Sequence, residues 1–303
     1  MKNNKKWNTD NISDQKGRVA IVTGASSGIG FETARVLANK NAEVIIAVRN
    51  QSKGENAVQK IKDRNKNVNV KLMLLDLASL KSVKKFAEEF RQNYDRLDLL
   101  INNAGVMIPP YTKTKDGFEL QFETNHLGHF ALTGLLLDII KKSPDSRIVN
   151  VSSSGHKIGH INFNDLNWEK RKYEPWKAYG DSKIANLYFT YELKERLSEN
   201  SSNPKVTAAH PGWTATELQR NAGYMRFLNK LFAMPVEQGA LPTLRAATDE
   251  NAGSGDYFGP CGFMEMKGYP VKVKSNKLSH DKTVAVKLWD VSEELTKVKF
   301  NLN

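Results

Sequence analysis

Tyr179 and Lys183 stand four residues apart in Tyr179-Gly-Asp-Ser-Lys183, so a helix would carry both on one face. There an ammonium can stabilise a phenolate and draw its pKa from about 10 toward neutrality, which makes the phenol a usable proton donor or acceptor. Alone the pair is weak, because chance supplies Tyr-x-x-x-Lys in many chains. Upstream, Thr23-Gly-Ala-Ser-Ser-Gly-Ile-Gly30 sets Gly24, Gly28 and Gly30 around Ser26, Ser27 and Ile29. Glycine there permits a tight turn and close backbone approach, and a helix opening at that point offers free N–H groups and a positive dipole to a pyrophosphate. A Gly-rich structural turn is the bland alternative. A third segment, Asn102-Asn-Ala-Gly105, lies between the two.

The elements that must position these residues are legible as an alternation. Short β-branched runs at Arg18–Thr23, Glu43–Val48, Val70–Leu75, Leu97–Asn102, Arg147–Ser152 and Lys205–Ala209 read as strands. Helical patterns near Gly28–Asn39, Gly54–Arg64, Leu80–Asn93, Phe118–Lys141 and Ala178–Leu197 fall between them. Strict β-α-β order predicts a doubly wound parallel sheet covered on both faces, an α/β fold of the Rossmann type. Asn41, just past the first helix, suits a left-handed C-cap. Beyond Pro211 the alternation weakens. An apolar segment (Tyr224, Met225, Phe227, Leu228, Leu231, Phe232, Met234) precedes a helix from near Glu237, a last strand at Asp256–Phe258 and a terminal helix at Lys282–Leu295. The expectation is one domain over residues 17–303 with a C-terminal substrate cap, behind a flexible tail at 1–16.

Composition narrows the function. With 303 residues, 40% hydrophobic and 26% charged, the chain can bury a large core. No stretch has the ~18 uninterrupted apolar residues of a membrane span. The Asn- and Lys-rich start lacks an apolar stretch and does not read as a signal peptide or anchor. A single cysteine, Cys261, excludes an internal disulfide and fits a reducing compartment, so a cytoplasmic location is expected. The net charge of +12 is spread among acids, as in Lys84-Lys85-Phe-Ala-Glu88-Glu89, and reads as a solvated surface with no nucleic-acid partner. His126 with His129, and His156 with His160, have helical spacing but no third ligand, so no metal is expected.

The three motifs, in this order, resemble the short-chain dehydrogenase/reductases, and the Gly-x-x-x-Gly-x-Gly spacing is the variant typical of that family. A nicotinamide cofactor is implied. At the end of the second strand, where an NAD-selective site usually holds an acid, this chain has Arg49, which can clamp a 2′-phosphate and stack on adenine. NADP (NADPH) is therefore expected, with a plain surface charge at Arg49 as the alternative. The resemblance also puts Asp76 and Leu77 beside the adenine, and Asn103, Ala104 and Gly105 along the cofactor's far side. His210-Pro211-Gly212 followed by Trp213-Thr214 resembles the motif beside the nicotinamide, with Thr214 near the carboxamide. The other cofactor contacts are Gly24, Ser26, Ser27, Gly28, Ile29, Gly30, Tyr179 and Lys183.

The same resemblance assigns four catalytic roles. Tyr179 exchanges the proton with the substrate oxygen. Lys183 lowers the Tyr179 pKa and holds the nicotinamide ribose. Ser153, chosen over Ser152 and Ser154, bonds the reacting oxygen, and Asn125 anchors a water linking Lys183 to solvent. The long interval between Ser153 and Tyr179, with Asn-His-Leu-Gly-His-Phe, Glu237-Gln-Gly-Ala240 and His-Pro-Gly, matches the branch of the retinol dehydrogenases and the WW-domain oxidoreductase. The implied substrate is an apolar alcohol or carbonyl of the retinoid, steroid or lipid-derived aldehyde class. A non-catalytic NADP-bound sensor or scaffold is the competing reading. Segment 224–234 is read either as a substrate lid or as a peripheral membrane contact, and self-association stays open.

Overall fold

Val19–Thr23 forms β1, the strand every later element is built around, and all five of its residues are buried. The computed structural model describes residues 6–197, 204–214 and 233–302. Strands β2 (Glu43–Val48) and β3 (Val70–Leu74) extend the sheet from one side of β1. From the other side follow β4 (Leu99–Asn102), β5 (Arg147–Val151), β6 (Lys205–Ala209) and β7 (Tyr257–Pro260). All are parallel, as β-branched runs buried on both faces require. A short β8 (Pro270–Lys272) closes the edge antiparallel to β7, giving the order β3-β2-β1-β4-β5-β6-β7-β8. Three residues are too few to show an alternating pattern, and the sequence reading missed this strand.

Helices α1 (Gly28–Asn39), α2 (Gln51–Arg64), α3 (Leu80–Asn93), α4 (Gly128–Lys141), α5 (Pro175–Leu197), α6 (Val236–Thr248) and α7 (Lys282–Thr296) cover the sheet. Ala34, Leu37 and Ala38 of α1 join Leu241 and Leu244 of α6 in one core. Phe86 and Phe90 of α3, Phe130 of α4, Phe189 of α5 and Trp289 of α7 fill the other. Asn41 does take the left-handed conformation, with φ 71°. The helix expected over 118–141 is instead composite. A short turn at Leu120–Phe122 passes into a π-helical stretch, Glu123–Leu127, before α4 begins. The apolar segment 224–232 lies outside the described residues.

The flexible tail expected at 1–16 does not hold for residues 6–16. Trp7 and Ile12 are buried in the α1 core, Lys40 Nζ donates to Ile12 O (2.8 Å), and the Gln15 amide donates to Lys40 O (2.7 Å). A Trp side chain carries enough apolar area to order a polar stretch around it. Trp7→Ala is accordingly expected to cost about 3 kcal/mol, read as an earlier midpoint in urea. An unchanged midpoint would mean that the segment only rests on the surface.

Candidate active site

Parallel strands bring their C-terminal ends to one edge of the sheet, and the expected site residues follow those ends. Gly24–Gly30 follow β1, Arg49 follows β2, Asp76 and Leu77 follow β3, and Asn103–Gly105 follow β4. Ser153 comes after β5, and Pro211, Gly212 and Thr214 come after β6. The strand order reverses between β1 and β4, which opens a crevice where such sheets bind ligands.

The turn after β1 is a cradle that side chains would fill. Gly24 and Gly28 have φ of 69° and 59°, and a Cβ on Gly24 would stand 2.7 Å from Ala104 Cα. Ser27 is the N-cap residue of α1 but makes no side-chain cap, and the first turn has no acid. The leading N–H groups are thus left to an anion. Thr23, overlooked in the sequence reading, braces this turn: its Oγ1 accepts from the amides of Asn103 and Ala104, both at 2.9 Å. Asn103 Nδ2 donates to Thr23 O (2.7 Å). Asp76 Oδ1 takes the Ala78 amide (3.1 Å), and Leu77 is buried. Arg49 is exposed and makes no ion pair among the described residues. These groups fit the pyrophosphate and adenine side of a dinucleotide.

Gly212 has φ 63°, Thr214 Oγ1 donates to Pro211 O (2.9 Å), and the Trp213 amide donates to Met266 O (2.9 Å). This segment is held by the one before β8.

Tyr179 and Lys183 lie in the first turns of α5, both nearly fully buried. Ser153 opens the turn after β5 and accepts from the Gly155 amide (3.1 Å). Among the three adjacent serines it is the one that lies by the phenol: a Cβ on Gly155 would stand 3.0 Å from Tyr179 Cε1 and 3.4 Å from Ser153 Oγ. Ser152 instead donates to Lys183 O (2.8 Å), and Ser154 is exposed. Lys183 Nζ donates to Val151 O (3.1 Å) and stands 5.7 Å from the Tyr179 ring centre. Asn125 lies in the π-helical stretch. Its Oδ1 accepts from the Val106 amide (2.8 Å), and its Nδ2 donates to Val106 O (3.0 Å) and Ser182 Oγ (2.8 Å). A Cβ on Gly105 would sit 3.1 Å from Asn125 Oδ1 and 3.5 Å from Lys183 Nζ, so a glycine keeps those two groups close. Ser182 was not anticipated; it sits one residue before Lys183, in the middle of the motif.

The acidified phenol expected from the Tyr-Lys spacing is absent from this structure. Burial pushes Tyr179 up to about 12, with the nearby Ser153 hydroxyl pulling the other way. Burial likewise brings Lys183 down to about 8. Desolvation disfavours both charged forms, and the ammonium points to the Val151 carbonyl. Of the paired histidines, His126, His129 and His156 are buried and His160 is exposed. His129 bonds Thr23 Oγ1 (2.9 Å) and Asn125 O (3.0 Å), and burial lowers it to about 4. His126 meets Ser292 Oγ (2.9 Å). Among the described residues no group of three potential ligands could hold a metal.

With this sheet, glycine turn and Tyr-Lys helix, the chain belongs to the short-chain dehydrogenases, a family of oxidoreductases that use NAD or NADP. The short chain dehydrogenase family model matches residues 18–226. Among its relatives, retinol dehydrogenase 12 of Mus musculus is 43% identical over 289 residues, covering 94% of this chain and 88% of that protein. Retinol dehydrogenase 13 of Homo sapiens is 43% identical over 92% of this chain and 84% of its own. A crystal structure of an uncharacterized protein from Mycobacterium Paratuberculosis shares 41% identity with a TM-score of 0.82, covering 97% of this chain and 99% of that one. A short chain dehydrogenase from Shigella flexneri 2a, complexed with NADP, shares 25% identity at a TM-score of 0.64, with 81% and 97% covered. Among the described residues no helix is long and apolar enough to cross a membrane.

Proposed function

We propose that this protein is an NADP-dependent oxidoreductase that interconverts an apolar alcohol and its carbonyl compound. The observation that carries this reading is the convergence of Tyr179, Ser153 and Lys183 past the C-terminal end of β5. NADP(H), when bound, gives or takes the hydride. Tyr179 holds a proton at its phenolic oxygen and delivers it to the substrate oxygen as negative charge develops there. Ser153 Oγ donates a hydrogen bond to that same oxygen, a fixed dipole aimed at developing charge. Lys183 keeps a positive charge beside the phenol and binds the ribose, and Asn125 holds the Val106 backbone and anchors the water that leads to solvent.

The substrate class follows from what surrounds the phenol. Met107, Ile108 and Trp213 pack around Tyr179, and the Trp176 ring meets it edge-on with centroids 6.4 Å apart. An apolar wall with two polar groups orients an apolar carbonyl. The relatives' names point the same way, retinol being an apolar alcohol. The test is turnover of acetaldehyde, octanal, decanal and retinal, and of the matching alcohols, with NADPH or NADP. Rates rising with chain length are expected. No turnover of any compound would overturn the reading.

For cofactor choice, Arg49→Asp should shift the ratio of kcat/KM for NADPH over NADH toward NADH by about 100-fold, by removing a charge-assisted clamp and adding repulsion. An unchanged ratio would move the phosphate to another cation, with Lys53 the nearest in sequence.

A further inference from the structure

His156 has no role in the scheme above, yet its imidazole is fully buried directly behind Ser153. Its Nδ1 donates to Ser153 O at 2.6 Å, and its Nε2 accepts from the Asn276 backbone amide at 3.2 Å. A carbonyl can only accept and an amide N–H can only donate. The two bonds therefore specify the neutral tautomer with its proton on Nδ1. Protonation would set one N–H against another, and burial, the largest influence, holds the group down to about 4. Asn276 completes the clasp: its Nδ2 donates to His156 O (3.4 Å), and its Oδ1 caps the turn Lys277–His280 through the Ser279 amide (3.2 Å). Tyr257 of β7 meets the imidazole edge-on, with centroids 5.8 Å apart.

The turn that carries Ser153 needs such an anchor. Ser153, Ser154 and Gly155 have little bulk with which to be held by packing. Gly155 also lies tight against the phenol, where a Cβ would stand 3.0 Å from Tyr179 Cε1. We infer that His156 is a positioning residue, which ties the Ser153 main chain to the C-terminal segment at Asn276 and so keeps Ser153 Oγ aimed at the reacting oxygen. The inference rests on the proposed role of Ser153 and extends the site to a segment more than a hundred residues away in sequence. Small displacements at a reacting centre are enough to matter, since about 1 Å can cost about 100-fold in rate.

Asparagine and glutamine separate the two bonds. The amide of His156→Asn can stand in for Nδ1–H, whereas His156→Gln reaches the Asn276 amide but has no donor at the Nδ1 position. With NADPH and whichever of decanal or retinal turns over faster, His156→Leu and His156→Gln should lower kcat about 10- to 100-fold, and His156→Asn should stay within about threefold of wild type. The Kd for NADPH, from its fluorescence, should be unchanged in all three. In a Ser153→Ala background, His156→Leu should cost less than about twofold more, because its effect runs through that serine. Equal losses in both backgrounds, or equal rates for the Asn and Gln variants, would overturn the inference while leaving Ser153 in place. Full activity of Ser153→Ala alone would overturn the role of Ser153 and the inference with it. The Asn and Gln pair is conservative enough to decide the matter even if His156→Leu fails to fold.

Discussion

Tyr179→Phe is expected to turn over about 100-fold or more slowly than wild type while binding NADPH as before. The substitution keeps the ring that packs on Met107 and Trp213, so the apolar wall survives and only the phenolic oxygen is lost. The size of the effect follows from protonation. Burial keeps the phenol protonated well past neutral pH, so at pH 7 the group already holds the proton that carbonyl reduction consumes. Among the described residues around it, Ser153 is a hydroxyl that accepts the Gly155 amide and is a far weaker acid than a phenol, and Lys183 Nζ is directed at Val151 O. Steady-state rates together with a fluorescence titration of NADPH check both halves. A Phe variant with near wild-type turnover would favour a scaffold that binds the nucleotide without chemistry.

Lys183→Met is the second large effect, and it runs in two directions. Turnover should fall by at least about 100-fold. The cofactor-free protein should nevertheless become more stable at pH 7. Lys183 is desolvated, and its pKa of about 8 against an ordinary 10.5 corresponds to about 3 kcal/mol spent on burying the charged form. Methionine fills similar space, and the Val151 carbonyl keeps the bond from Asn186 Nδ2 (3.1 Å), so no buried acceptor is orphaned. The sign with pH is fixed by linkage. Below about 8 the proton sits on Lys183 in both folded and unfolded chains. Between about 8 and 10.5 only the unfolded chain holds it, so the wild type gains stability with rising pH across that window and the variant does not. The advantage of Lys183→Met in thermal melts should therefore shrink from pH 8 to pH 10. A variant less stable than wild type at pH 7 would mean that the ammonium is well solvated where it lies.

Local chemistry was readable in the sequence wherever a residue's own backbone decides the outcome. Gly24 and Gly28 take positive φ because the strand-to-helix turn demands it, and Asn41 does the same past α1. Ser153 was chosen over its two neighbours from the family pattern, and all three serines lie past Val151, where β5 ends. What escaped notice depends on distant partners. The π-helical stretch at Glu123–Leu127 sits where Gly128 packs tightly against Leu77, a contact between residues far apart in sequence. Trp7 was lost in the average of an Asn- and Lys-rich start, although one indole outweighs many polar neighbours once a core is present. The pKa of Tyr179 went the other way from expectation because spacing reveals the neighbouring ammonium but not the burial around both groups. His156 read as half of a spurious metal pair, since its partners at Ser153 and Asn276 are invisible until the C-terminal segment folds back.

The reversal of strand order between β1 and β4 also bears on descent. The groups proposed to grip the nucleotide's adenine side come from the first third of the chain, and those proposed to handle the reacting oxygen come from β5 onward. A lineage can thus change which reducing pool it draws on through substitutions near Arg49, with no alteration of the face from which the substrate is approached. It can also recruit new substrates through the C-terminal third while its coupling to metabolism stays fixed. The two histories are bound together in the core that α1 shares with α6 and where Lys183 lies over Gly105. Those are the positions at which drift in one half must be answered in the other.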